Sequence, residues 1–385
     1  MLDTVILNIP WGRFKILDDD KFRPSTKILH MVGVGYMAFY NNTTAAEKKA
    51  GIYRPNLTLY KRGPTYELKI QFSAPKLLFK NNLEELVEGQ FEDVLGALQK
   101  SLRGAGVSVE KEILRHTYVA SFHPSKNIQI TGGYLATDIV GQIAKMCVTG
   151  KLDIDTKDFR NGGHGVQLRA ETHALTFYSK NEDLKKGDGN SFDLEKNQKM
   201  QRESLFEFLN QKRLPEILRM EARLCDRTKM KSVLKQIGFP IEPTFFAIFK
   251  ADICRAVLLY YFETYIEPNF FIFDYDDGPQ AILKGIVRKN KKMKLGKAMK
   301  LGYIKALCKD KDGARGLKNF IEPAFGRREW QRIASEIKTL NHKILLKSCY
   351  SYIKEIKQGL QKFKPYKPEV AKKLCTGDVY NSIVS

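Results

Sequence analysis

Five runs in the first 230 residues alternate apolar and polar side chains with a period of two: Leu57 to Leu59, Leu68 to Phe72, Tyr118 to Phe122, Leu175 to Phe177 and Leu218 to Leu224. Successive side chains of a strand point to opposite faces, so each run predicts a strand with one apolar face. Such strands need each other, and a cover, to bury that face. Between them, apolar residues from Leu83 to Leu102 recur at helical spacing and stop at Gly104 and Gly106, and a second helix is predicted over Tyr134 to Val148. Helices on one face of an antiparallel sheet make an α+β domain.

The second part of the chain reads as helical and basic. Helices are predicted over Lys250 to Ile266, Lys297 to Lys309 and Arg327 to Leu340, where Trp330, Ile333, Ile337 and Leu340 share a stripe. A short amphipathic helix ending at Gly238 and Pro240 marks a domain change. The reading is therefore a sheet domain over 1–230, a helical domain over 231–345 and a basic, partly flexible tail over 346–385. From Ala281 to Lys364 there are 23 Lys and Arg against 6 Asp and Glu, which accounts for 17 of the formal net +22. A basic excess of that size predicts a polyanionic partner.

Several classes fall away. No stretch offers the roughly 20 apolar residues of a membrane span, and Met1 to Val5 carries acid where a secretory signal carries base. The six cysteines show no C-x-x-C spacing, which fits reduced thiols in a cytoplasm better than a zinc site or a disulfide framework. No phosphate-loop motif is present.

Alternation also says which residues leave the core. Phe122 is assigned to the core face with Tyr118 and Ala120, which puts Ser121 and His123 opposite. Thr176, Tyr178 and Lys180 oppose Leu175 and Phe177, and Arg219, Glu221 and Arg223 oppose Met220 and Ala222. By the same rule His116 and His173 are core-side or edge residues. If the three strands are neighbours, the set has a use. His123 and Glu221 would hold Mg²⁺ or Mn²⁺, Tyr178 would attack a phosphodiester, and Lys180 would lower the phenol's pKa or pair with the phosphate. Arg219 and Arg223 would grip flanking phosphates. Gly326-Arg327-Arg328, after Pro323, has the form of the turn that starts a DNA-reading helix, with Arg327, Arg328 and Arg332 as contacts.

Four ordered blocks resemble the gene II/X family of replication initiators from filamentous phages and related plasmids. They are LKIQFSAPKLLFKNN from Leu68, SFHPSKNI from Ser121, HALTFYSKNEDL from His173 and LRMEARL from Leu218, after an opening MLDTVILNIP that is also similar. Lys297 to Leu340 resembles the family's second module more loosely. The resemblance implies a rolling-circle nuclease related to the HUH endonucleases, with a tyrosine nucleophile that maps onto Tyr178 and a lysine onto Lys180. It also implies metal ligands, assigned to His123 and Glu221, although only one His occurs in the block and Gln71 stands where an acid would be expected. Lys126, in the same block as His123, joins the candidate DNA contacts. Origin DNA, a host helicase and a host polymerase would be the partners, in the cytoplasm of a bacterial host, with no membrane and no small-molecule substrate. The alternative is a non-catalytic initiator that binds and melts origin DNA.

Overall fold

The alternating runs pair into one sheet. The structure, a computed structural model, describes residues 1–368 apart from 25–35, 45, 48–51, 63–64, 149–151, 155–163, 186–214, 270–282, 285, 289–291, 312 and 345–350. Its strands are β1 (Leu2–Pro10), β2 (Lys15–Ile16), β3 (Arg23–Pro24), β4 (Tyr36–Asn41), β5 (Asn56–Arg62), β6 (Thr65–Ser73), β7 (Val107–Ser108), β8 (Val119–Ile130), β9 (Asp153–Ile154), β10 (Gly165–Arg169), β11 (His173–Ser179) and β12 (Glu216–Leu224). Ten of them form an antiparallel sheet in the order β3-β4-β5-β6-β1-β8-β12-β11-β10-β9, and β2 pairs separately with β7.

Helices cover one face. They include α1 (Ala74–Phe79), α2 (Phe91–Gly104), α3 (Lys111–His116), α4 (Ala136–Ala144), α6 (Arg227–Gln236), α7 (Phe245–Ile248) and α8 (Ala251–Tyr261), whereas α5 (Lys180–Lys185) follows β11 directly and none of its described residues belongs to the core. Val94, Leu95, Leu98 and Leu102 on α2 recur at three and four residues, so they form a single buried stripe in the core that also holds Leu7, Ile70 and Phe72 of the sheet. The other face carries the polar half of each alternation. The expected α+β class holds: a large antiparallel sheet in the N-terminal half, helices in the C-terminal half.

The register of β8 differs from simple alternation. Leu7 faces Val119, Ile6 faces Ser121 and Val5 faces Phe122, so Ala120 is an extra residue in a β-bulge. Val119 is buried in place of Tyr118, which is 43% exposed. Ser121 and His123 still leave the core, because the bulge restores the phase before Phe122. His116 is not core-side: it ends α3 at the surface, 3.4 Å from Glu112.

Two hydrophobic cores divide the chain, and the division does not fall at residue 230. Phe245, Val257, Leu258 and Phe262 belong to the sheet core, and so do Tyr352, Ile356 and Leu360 of α12 (Ser351–Lys362). Residues 351–362 of the expected tail are thus a helix returned to the sheet, because its apolar residues fall at i, i+4 and i+8 and make one buried face; residues beyond 368 lie outside the described ones. The second core joins α9 (Leu295–Asp310), α10 (Ala314–Phe325) and α11 (Arg327–Ile344) through Leu301, Leu317, Trp330 and Ile337.

Leu360 is fully buried. Leu360→Ala should lower unfolding stability by about 3 kcal/mol through lost transfer energy and a cavity. Phe325→Ala, at a side chain 63% exposed, should cost under about 0.5 kcal/mol. Urea unfolding of both variants checks the difference.

Candidate functional site

Strand β12 lies between β8 and β11, so the three strands that carry the candidate residues are neighbours. Their register makes rows. Ser125, Glu221 and Thr176 stand side by side, and in the next row so do Asn127, Arg219 and Tyr178. Continuing the register, His123 and Arg223 fall in a third row with Ala174. All point away from the helical layer.

The rows are linked by charge. His123 Nδ1 lies 3.2 Å from Glu221 Oε1, and Arg223 Nε donates to the same oxygen at 2.9 Å. His123 Nε2 is 3.1 Å from Ser121 Oγ. Burial works against a charged imidazole, but hydrogen bonds with Cys225 and Glu221 outweigh it and raise the pKa of His123. Burial likewise opposes the Glu221 carboxylate, yet Arg223, His123 and Arg219 hold its pKa well below the usual carboxylate range.

Arg219 is 1% exposed and saturated on one side. Its Nη1 donates to Asn82 O at 2.8 Å and Asn127 Oδ1 at 3.2 Å, and its Nη2 to Ser125 Oγ at 3.0 Å, with Asp3 Oδ2 3.1 Å away. Tyr178, directly opposite on β11, is half-buried. Burial pushes its phenol pKa well above the ordinary value, and Arg219 is the strongest charge acting in the other direction. Lys180 does not continue the strand. It opens α5, is fully buried, and donates to Asp183 Oδ2 at 2.6 Å and Asn82 Oδ1 at 2.8 Å, with its ammonium 5.6 Å from the centroid of the Tyr178 ring. Burial lowers its pKa to about 8.

Other assignments change with burial. Lys126 is not a surface residue. It faces the helical side, pairs with Glu85 and donates to Lys364 O at 2.6 Å, so it is not placed to meet DNA. Arg219 is enclosed too, which leaves Arg223 as the arginine of this strand that reaches the surface. Arg327, Arg328 and Arg332 are exposed on the first turns of α11. Asp3, Asn82, Glu85, Ser125, Asn127 and Cys225 were not anticipated; alternation from His123 reaches Ser125 and Asn127, while Asn82 and Glu85 lie in a connection ahead of α2, which starts at Phe91 and not at Leu83 as the helical spacing predicts.

Beside the rows, a groove of about 600 Å³ opens on the uncovered face, lined among others by Asn8, Lys69, Ser121, His123, Arg169 and Arg223. An imidazole and a carboxylate are suitable donors for Mn²⁺, but the arrangement does not fit a cation. His123 and Glu221 bond each other, Arg223 occupies the shared oxygen, and two guanidinium groups beside the carboxylate repel a dication. Among the described residues no third His, Cys, Asp or Glu completes a metal-holding group. No helix among the described residues is long and apolar enough to cross a membrane. No family model, curated protein or solved structure matches the chain.

Lys180 titrates at about 8 in the fold against an ordinary 10.5. Between those values the unfolded chain binds more protons, so stability rises with pH across that window. At about 1.4 kcal/mol per pH unit, wild type should gain up to about 3 kcal/mol relative to Lys180→Met between pH 8 and 10.5. Urea unfolding of both proteins at pH 7.5, 9 and 10.5 measures it.

Proposed function

We propose that this chain nicks and rejoins single DNA strands at a replication origin through a 5′-phosphotyrosine at Tyr178, as a rolling-circle initiator of the gene II/X type. The observation that carries the proposal is the direct opposition of Tyr178 and Arg219 on paired strands, in a polar block beside a groove where Lys69, Arg169 and Arg223 stand with Glu67 and Glu171. A phenol becomes a nucleophile for phosphorus when a neighbouring positive charge stabilises the oxygen as it loses its proton. In the forward step the Tyr178 Oη–P bond forms and the P–O3′ bond breaks. The proton lost by the phenol is matched by one gained at the leaving 3′ oxygen. One phosphodiester replaces another, so no ATP is needed and the reverse step rejoins the strand.

The roles of the other candidates follow from their placement. Lys180 is neutralised by Asp183 and acts on the tyrosine through its ring, holding it in place rather than titrating it. His123, Glu221 and Arg223 form a bonded triplet at the groove's edge, where Arg223, 30% exposed, is free to meet a flanking phosphate. Mg²⁺ or Mn²⁺ remains a condition to vary in the assay, and no step here depends on it. Host helicase and polymerase partners belong to the same proposal.

Duplex DNA would be read by α11. Gly326, at φ 88, makes the one-residue turn between α10 and α11, a left-handed conformation suited to glycine. The turn presents Arg327, Arg328 and Arg332 at the helix N-terminal end, where recognition helices meet base edges and phosphates.

Two measurements test the reading. The protein is mixed with supercoiled DNA of its own replicon, in EDTA and in Mg²⁺ or Mn²⁺, and run on a denaturing gel. A protein–DNA adduct in wild type and none in Tyr178→Phe is the expected result. Binding without adduct or nicked circles favours the non-catalytic initiator, the reading that the enclosed, high-pKa phenol supports. Separately, the triple variant Arg327→Gln/Arg328→Gln/Arg332→Gln should bind duplex more weakly, with a log–log salt slope shallower by about 2 to 3. An unchanged slope would move the duplex surface elsewhere.

A further inference from the structure

From Pro323 to Arg328 every residue is exposed. This corner between α10 and α11 is held from both sides, because Ile321 before it and Trp330 after it are buried in the second core. Within it Phe325 is 63% exposed and belongs to neither core. Past the turn at Gly326 come Arg327 and Arg328, both exposed and without an ion pair among the described residues. The acids nearest in sequence are already engaged: Glu322 lies 3.7 Å from Lys318, and Glu329 lies 2.8 Å from Arg332. The corner thus offers an uncovered ring beside two unneutralised guanidinium groups. A second copy of the chain is a poor occupant, since Ala281 to Lys364 carries 17 of the net +22 and like charges repel. The floor of the DNA major groove fits both features. It presents an apolar group, the thymine C5-methyl, among acceptors that suit arginine, the guanine O6 and N7.

We propose that Phe325 packs on a thymine C5-methyl of the origin duplex, with Arg327 or Arg328 on a guanine within about three base pairs of it. The proposal rests on the duplex reading of α11 and adds to it part of the sequence that α11 selects. Chain geometry sets the spacing: two or three residues span at most about 7–11 Å, and successive base pairs rise about 3.4 Å. Arginines on phosphates hold any sequence, whereas contacts to base edges choose one. A ring on a methyl group needs no hydrogen bond, and it takes from water two apolar surfaces that are wet in the free protein and the free DNA. Loss of the ring therefore matters only where the methyl is present.

Deoxyuridine pairs with adenine as thymine does and lacks the methyl. In the duplex that the full chain protects at its own replicon's origin, each thymine is replaced in turn by deoxyuridine, and binding is titrated at one fixed salt concentration. At one position wild type should lose about 4-fold in affinity, the size of one methyl group returned to water. Phe325→Ala should bind the thymine duplex more weakly and should not distinguish thymine from deoxyuridine there. Phe325→Leu, still apolar, should keep part of the difference. Because Phe325 is mostly exposed, the urea midpoint of Phe325→Ala should match wild type, which separates a lost contact from a lost fold. No deoxyuridine penalty at any position in wild type, or the same penalty in Phe325→Ala, overturns the methyl contact and leaves the arginines on the duplex. Wild-type affinity and salt slope in Arg327→Gln/Arg328→Gln/Arg332→Gln takes α11 off the duplex, and the methyl contact with it.

Discussion

A guanidinium enclosed in the middle of a ten-stranded sheet has to be neutralised and hydrogen-bonded, because an unpaired buried charge costs several kcal/mol. Arg219 meets that demand by drawing in groups from separate parts of the chain: Asp3 from β1, Ser125 and Asn127 from β8, and the carbonyl of Asn82. Burial disfavours its charge, and Tyr178, Asp3, Glu221 and Glu85 together more than restore it. The tyrosine is therefore part of the arginine's environment as much as the arginine is part of the tyrosine's. Their separation is set by strand pairing and not by a flexible side chain finding its partner.

A second carboxylate holds the frame around this centre. Glu85 pairs with Lys126 and accepts from the backbone N–H of Asn127 at 2.6 Å and of Tyr366 at 2.8 Å. It thus joins the strand that positions Arg219 to the segment that follows α12. Asn127 belongs to both networks, through its backbone to Glu85 and through its side chain to Arg219 and to Leu83 O. A connection with no secondary structure, Asn82 to Glu85, is in this way fixed against the sheet by satisfied polar groups. Preorganisation of that kind lets a polar site act on a developing charge without first rearranging.

The period-two pattern made the strands and their polar faces legible, since alternation is a local property of each run. Their lateral order was not, because pairing is decided by contacts between distant segments; that β12 falls between β8 and β11 is visible only in the fold. The bulge at Ala120 shows the limit well. Alternation put the wrong residue, Tyr118, in the core, yet His123 kept its face because one extra residue resets the phase. Lys180 was misplaced for a different reason: the strand ends at Ser179, and a helix start turns the next side chain inward. Depth was equally invisible. Lys126 and Arg219 read as surface cations in a basic chain, and both are enclosed by partners from β1, the Asn82–Glu85 connection and the C-terminal segment.

The helical unit that carries much of the positive charge is not an appendage. It leaves the sheet core after Asn269 and returns to it at Ser351, so both of its ends are anchored in the core that holds β8 and β12. It also meets α4 directly: Arg315 N donates to Lys145 O at 3.2 Å, and a Cβ at Gly313 would lie 2.6 Å from that same carbonyl. Gly313, at φ 110, is the residue that permits both the turn and the approach. Helix α4 in turn packs on β10, β11 and β12. Two tethers and one backbone contact leave far fewer arrangements than a single linker would, because each closed connection removes chain freedom that an open one keeps. A duplex held by α11 would on this plan be held at a limited range of positions from Tyr178, and cutting the chain before α9 would remove α12 from the sheet core along with the basic helices.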